Sequence, residues 1–373
     1  MNSILHEIQQ LRKGKPMVID YSNHNRYRVV VKESDGTKTA YYFSAPIYNR
    51  YTRKVVDLQF KKNGDLLTAV GSNTTTTVSD ALRMENAEGI CTIPLNETFS
   101  YVSEKELCSK DAVVHPTLNG VAVRVNGTKF AFNLEVNEPH LNVRANDKYF
   151  SLMRSKFQQF VIVSCIGTVN DIGEVIAPAR VRYQKINDFR YALTVTSCSP
   201  MGTGIMLEIN LYEGKLIQDT TVESANPKVN NAFGSTAFVG NTEVFGKQWL
   251  YSKLDFDRMP ELADKYINRA IWYLPKYNSA NVALSAYKVA SRFCSFGSNW
   301  GNKVAAGNYL SSTSEFHRYQ RMDITCALTN DGGGYLTLNN GMILKTAVKG
   351  NGFSAIATGD SYYAPQILEV NFR

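Results

Sequence analysis

The chain has 373 residues, 44% hydrophobic and 20% charged, with a formal net charge of +8. This composition is globular and excludes an intrinsically disordered chain, and the length favours two domains with room for a third. The basic balance suits anionic partners, yet the densest group, Arg50, Arg53, Lys54, Lys61 and Lys62, is broken by aromatics and an acid and carries no nucleic-acid-binding motif.

Residues 1–16 read as an amphipathic helix with Ile4, Leu5, Ile8 and Leu11 on one face, stopped by Gly14 and Pro16. The segment lacks the apolar core and small-residue cleavage site of a Sec-type signal. No window approaches the roughly 18 apolar residues of a membrane span. Strands are expected at Tyr27 to Lys32 and Thr39 to Ser44 around an Asp35-Gly36 turn, and at Val55 to Lys61 and Leu66 to Val70 around Asn63-Gly64. Thr74 to Val78 reads as an edge strand, Asp80 to Glu88 as a short helix and Tyr101 to Ala112 as a connecting segment. Gly120 to Val125 and Lys129 to Val136 alternate with period two around Asn126-Gly127 and are expected to pair as a hairpin with one wet face. Further strands are expected at Phe157 to Ile166, Ala179 to Lys185, Phe189 to Thr196 and Ile205 to Tyr212. Nothing has a βαβ rhythm, which argues against a parallel sheet with a dinucleotide site.

Chemistry is sparse. The six cysteines are spread singly, without CxxC spacing, and read as reduced, buried thiols; Cys294 and Cys326 are the pair confined to the last domain. The five histidines lie far apart, and no G-x-S-x-G elbow occurs. Asp331-Gly332-Gly333-Gly334 lacks both the alternating acids of a calcium loop and the Lys of a P-loop, and reads as a hairpin tip. No cofactor or metal site is expected. Tyrosines crowd the N-terminal region (Tyr21, Tyr27, Tyr41, Tyr42, Tyr48 and Tyr51), and Tyr362-Tyr363 lies near the end. Tyr and Trp on a wet strand face serve interfaces and sugar stacking, so Tyr48, Tyr51, Trp249, Trp300, Tyr362 and Tyr363 are the candidate ligand or interface residues.

From Asp219 onward, short β-prone runs separated by Asn, Gly and Ser clusters carry a recognisable order. Asp219-Thr220-Thr221-Val222 and Asn226-Pro227 are followed by Phe233-Gly234, Lys253-Leu254-Asp255-Phe256 and Ile267 to Leu274. Then come Leu284 to Val289 with Trp300, and finally Phe353 to Ala357 with Pro365 to Val370. In this order and spacing, residues 215–373 resemble the DNRLRE family, a β-sandwich module common in large surface proteins of Gram-positive bacteria. Gly359-Asp360-Ser361 stands where that family has an acidic Ser-Glu pairing. The resemblance implies a structural or adhesive role with no catalytic residues. It also implies that Trp272, Leu274, Tyr287, Trp300, Pro365 and Leu368 lie between two facing sheets.

The expected fold is all-β. It comprises an N-terminal helix (1–16), β-rich domains at 17–112 and 113–214, and an antiparallel, jelly-roll-like β-sandwich at 215–373. The expected function is that of a non-enzymatic subunit of an extracellular particle, a virion or phage-tail-like assembly released without a Sec signal. On this reading the helix and the basic tyrosine-rich segment dock to a neighbouring subunit or a second copy, and the sandwich points outward. The alternatives are a carbohydrate-binding module or adhesin holding cell-surface glycans, a polysaccharide-acting enzyme, and a cytoplasmic location.

Overall fold

In the computed structural model, residues 3–22, 25–64, 66–95, 98–262, 265–279, 282–328, 340–346 and 352–373 are described; the Asp331 loop lies outside them. The chain is all-β and antiparallel, with a nine-residue helix at Ser3–Leu11 and a single helical turn at Thr325–Leu328. It forms two compact units. One comprises Met1–His6 and Pro46–Gly214, the other Glu7–Ala45 and Lys215–Arg373.

The unit containing Pro46–Gly214 is a sandwich of a nine-stranded and an eight-stranded sheet among the described residues. Both sheets feed one core: Val123, Leu152, Val163 and Leu207 come from the first, and Leu82, Met84, Leu134 and Leu193 from the second. The expected Gly120/Lys129 hairpin does not form. Gly120–Asn126 pairs with Ala112–Pro116 and Gly204–Leu211 in one sheet. Lys129–Val136 pairs with Arg190–Ser197 and Gly89–Pro94 in the other. Gly127, at φ 94°, turns the chain from one sheet to the other. Each strand thus buries its own apolar alternation across the sandwich, a use that period two alone does not distinguish from side-by-side pairing.

Several further expectations are corrected. Asp80 to Glu88 is not helical: Ala81–Asn86 pairs with Gly89–Pro94, with Leu82 and Met84 inward. Thr75–Val78 is an interior strand between Leu66–Val70 and Ala81–Asn86. Residues 101–112 carry two short strands, Ser100–Ser103 and Glu106–Cys108, rather than a plain connection. The strand expected from Val55 is confined to Lys61–Asn63.

The second unit is a sheet of thirteen strands, among the described residues, that folds over on itself. Its hinge is the long strand Ala306–Phe316, whose first half pairs with Ser285–Val289 and whose second half pairs with Tyr319–Asp323. One layer holds Ile267–Pro275 and Ile367–Phe372, the other Gly246–Leu254 and Met342–Lys345. Trp272, Leu274, Leu368 and Val370 from the first meet Leu250, Ala286, Leu344 and Ile356 from the second. Trp272 is fully buried, and its Nε1 donates to Gln366 Oε1 at 3.1 Å.

Residues 17–45 belong to this sandwich rather than to the following segment. Arg28–Lys32 and Lys38–Phe43 form the expected hairpin, and Lys38–Phe43 pairs residue by residue with Ile367–Phe372. Ala40 and Tyr42 enter the core. Residues 46–214 are consequently an insertion, with no boundary at 112. The chain leaves and returns at neighbouring points, where Leu216 N donates to Ser44 O at 2.9 Å. Ile4, Ile8 and Leu11 are buried within the chain, so the helix face expected to meet a neighbouring subunit is already covered.

Asp219, near the start of the 215–373 segment, is buried, and its Oδ2 accepts the Gly359 N–H. Burial, and then the charge of Asp360, hold its carboxyl well above the usual range. A carboxyl protonated in the native state binds more protons than the unfolded chain. Its contribution to stability is therefore complete below the unfolded pKa of about 3.9 and lost as pH rises through the raised native value. Asp219→Asn keeps the acceptor and removes the charge. We expect denaturant titrations to show this variant gaining on the wild type as pH increases from about 4 to about 8. Trp272→Ala should cost about 3–5 kcal/mol in the same assay.

Candidate functional site

On the outer face of the layer holding Gly246–Leu254, side chains alternate away from the core. Leu250, Ala286 and Leu344 point inward, so Trp249, Tyr251, Tyr287, Ile343 and Lys345 point outward. Cross-strand register sets these residues in a row across the sheet: Tyr309 opposite Tyr287, Tyr287 opposite Ile343, and Ile343 opposite Tyr251. Part of the row is roofed by the segment that carries Trp300. Val222, Tyr251, Val289, Phe293 and Ile343 form a small apolar cluster beneath that segment, and Tyr251 OH donates to Val304 O at 2.5 Å.

The roof is pinned by the Asn-Pro-rich stretch that sequence places after Asp219. Asn230 Nδ2 donates to Ser295 O and Ser298 O, both at 2.7 Å, and Gly301 N donates to Pro227 O at 2.9 Å. Asn299 Oδ1 accepts the N–H groups of Gly301 and Asn302, closing the turn around Trp300. Trp300 thus comes to rest against Trp249, ring centroids 5.1 Å apart and planes tilted by 54°.

Four aromatics and two lysines make up the resulting platform. Tyr287 and Tyr309 meet edge to face at 5.7 Å, and Tyr309 is 56% exposed. Lys345 Nζ lies 4.1 Å from the Tyr287 ring centre and 5.2 Å from that of Trp249. Lys303 Nζ lies 4.1 Å from Trp300 and 5.5 Å from Trp249, and donates to Trp300 O at 3.1 Å. Trp249, Trp300 and Tyr287 are half-buried. Their packing against one another fixes ring orientation, and each lysine over an aromatic face adds about 0.5–1 kcal/mol at such exposed positions. The arrangement offers rigid aromatic rings with cationic donors held against them.

Of the six candidate residues, then, the structure brings Trp249 and Trp300 together and scatters the rest. Tyr48 is buried and bridges to Val55; Tyr51 is 64% exposed at the tip of a turn held by Asn49. Tyr362 is fully buried under the Lys215 ammonium, 3.4 Å from its ring centre, and Tyr363 is half-buried. Tyr287 and Trp300, expected between the sheets, lie instead on the outer face, whereas Trp272, Leu274 and Leu368 are in the core. Tyr287, Tyr309, Lys303 and Lys345 were missed as site residues. Tyr287 could have been found from its outward register next to Ala286; nothing in the sequence marks the two lysines.

All six cysteines are free. Only Cys91 and Cys165 are buried as expected; Cys108 and Cys198 are half-buried, and Cys294 and Cys326 are exposed and unbridged. Among the described residues no cluster of His, Cys, Asp or Glu is placed to hold a metal ion, and no helix is long and apolar enough to cross a membrane. No family model matches the chain, and no curated protein matches it.

Trp300→Ala removes one face of a half-exposed pair and should cost far less stability than loss of the core Trp272, under about 2 kcal/mol. Near-UV circular dichroism should change strongly at the same time, because two of the three tryptophans form this pair.

Proposed function

We propose that this protein is a non-enzymatic glycan-binding β-sandwich protein with an adhesive role, and that the Trp249–Trp300–Tyr287–Tyr309 platform is its binding surface. The observation that carries this reading is the clustering of oriented, half-exposed aromatic rings with two lysines held against them, one over a face of Trp300 and one over a face of Tyr287. A pyranose has an apolar C–H face and a hydroxyl rim. Its C–H face is attracted to the negative face of an aromatic ring, and ammonium groups at the margin donate to hydroxyl and ring oxygens. Rings held in place by their neighbours lose little rotamer freedom on binding.

The DNRLRE resemblance over residues 215–373 supports the adhesive part of the reading, as a module of surface proteins. The particle-subunit version relied on the N-terminal helix for docking. With Ile4, Ile8 and Leu11 covered within the chain, the helix no longer supports that version.

A glycan array probed with the full chain, followed by calorimetry on the best oligosaccharide, tests the proposal. Saturable binding is expected, weakened at least tenfold (about 1.4 kcal/mol) by Trp249→Ala and by Trp300→Ala. An array with no bound glycan, or undiminished affinity in both variants, would overturn it.

A further inference from the structure

The opposite face of the same sandwich carries a site of different chemistry. Outward residues of four adjacent strands form its floor: Tyr41 from Lys38–Phe43, Glu369 from Ile367–Phe372, Tyr273 and Arg269 from Ile267–Pro275, and Arg321 from Tyr319–Asp323. The last turn of the helix and the chain running on to Val18 form one wall, and the Glu33–Thr37 turn another. The cleft, open to solvent, has a volume of about 980 Å³, at the upper end of what ligand sites occupy.

The cleft is built rather than incidental. Glu369 is 2% exposed; Arg269 donates to its Oε1 and Tyr273 OH to its Oε2, the latter at 3.1 Å. Arg12 holds Glu33 through two hydrogen bonds of 2.7 and 3.0 Å and donates to Pro16 O at 2.6 Å, fixing the wall. Tyr41 and Tyr273 are almost fully buried, and burial together with the nearby Glu369 charge pushes both phenols up, so they remain proton donors at any physiological pH.

The charge balance then points to the ligand. The acids of the cleft are engaged: Glu369 by Arg269, Glu33 by Arg12, Glu315 by Lys276, and Asp35 by the hydroxyl and N–H of Thr37. Each therefore serves as an acceptor within the protein, and none stands ready to protonate a leaving group as a glycosidic general acid must. Among the described residues, by contrast, Arg321 has no ion-pair partner; it lies half-buried on the floor beside Tyr273. Lys13 and Lys15 stand exposed at the rim, and neither forms a salt bridge among the described residues. A half-buried guanidinium without a counter-ion, set beside neutral phenols, is a receptor for an oxyanion.

We propose that this cleft is a second binding site, specific for an acidic saccharide whose carboxylate or sulfate is received by Arg321 while Tyr41 and Tyr273 contact its hydroxyls. It is separate from the aromatic platform, on the other sheet layer, and does not depend on the reading given to that platform. Arg321 and the rim lysines should make binding salt-dependent, because each cation paired in the complex is screened by added ions.

Calorimetry on the full chain with three hexasaccharides, a galacturonate oligomer, a κ-carrageenan oligomer (sulfated, without carboxylate) and neutral maltohexaose, tests this. At least one acidic oligomer should bind, more weakly at about 0.5 M than at about 0.05 M NaCl. Arg321→Gln should reduce that affinity tenfold or more, whereas Trp300→Ala should leave it within twofold. The carboxylated and sulfated oligomers separate the two anion sources. Should Arg321→Gln alter the unfolding midpoint, Lys13→Gln/Lys15→Gln, two exposed changes, should still lower affinity severalfold and flatten the salt dependence. Failure of both acidic oligomers, equal binding of maltohexaose, or insensitivity to the arginine and lysine changes would each overturn the assignment.

Discussion

The pairing of Lys38–Phe43 with Ile367–Phe372 is the contact on which the second sandwich is built. Six successive residue pairs join strands about 330 positions apart in the chain. One face of this ladder delivers Ala40, Tyr42, Leu368 and Val370 to the core. The other delivers Tyr41 and Glu369 to the cleft floor. Stability and site are therefore supplied by the same backbone hydrogen bonds, and a register slip of one residue would exchange the two sets. Closing so long a loop is entropically costly, although the cost grows only logarithmically with length. Burial of the paired side chains against Trp272 offsets it.

The two layers of this sandwich share a core yet present opposite chemistry to solvent. Both outer faces are partly covered by segments that are not themselves strands, and these covers decide what each face can do. Over the Trp249 layer the cover is the Phe293–Val304 segment, which adds an indole and an ammonium to a row of aromatics. Over the Glu369 layer it is the end of the helix, whose Arg12 pairs with Glu33 to make a polar wall. Strand positions that would otherwise be ordinary surface tyrosines and arginines thereby become oriented groups in sheltered settings.

Local regularities of the sequence translate into structure well. The Asp35-Gly36 hairpin, the strands at Ala179–Lys185 and Arg190–Ser197, and the core places of Trp272 and Leu368 all follow from alternation, turn chemistry and apolar volume. Long-range pairing does not follow from these. The Val121, Val123 and Val125 alternation marks a half-buried strand, but carries no information about whether its neighbour in sequence is its neighbour in the sheet. Asp80 to Glu88 failed for a related reason: Ala, Leu, Met and Glu favour helices, and tertiary pairing overrode that preference. The Trp249–Trp300 pair was half legible, since both indoles were singled out while the register that adds Tyr287 was not. The cleft was invisible, because Arg12, Arg269, Arg321 and Glu369 come from four separate stretches.

The insertion at Ser44 and Leu216 has a consequence for biosynthesis. A ribosome delivers residues 46–214 as one uninterrupted stretch whose strands all find partners within it, so this sandwich can mature while the chain is still growing. The hairpin ending at Phe43 has left the exit tunnel long before its partner, Ile367–Phe372, is translated. Throughout that interval an apolar strand edge stands without its neighbour, exposed to chance pairing with other chains. Lys32 and Lys38 at the turn end of the hairpin, and the charged turn between them, are the kind of residues that keep such an edge from recruiting the wrong strand.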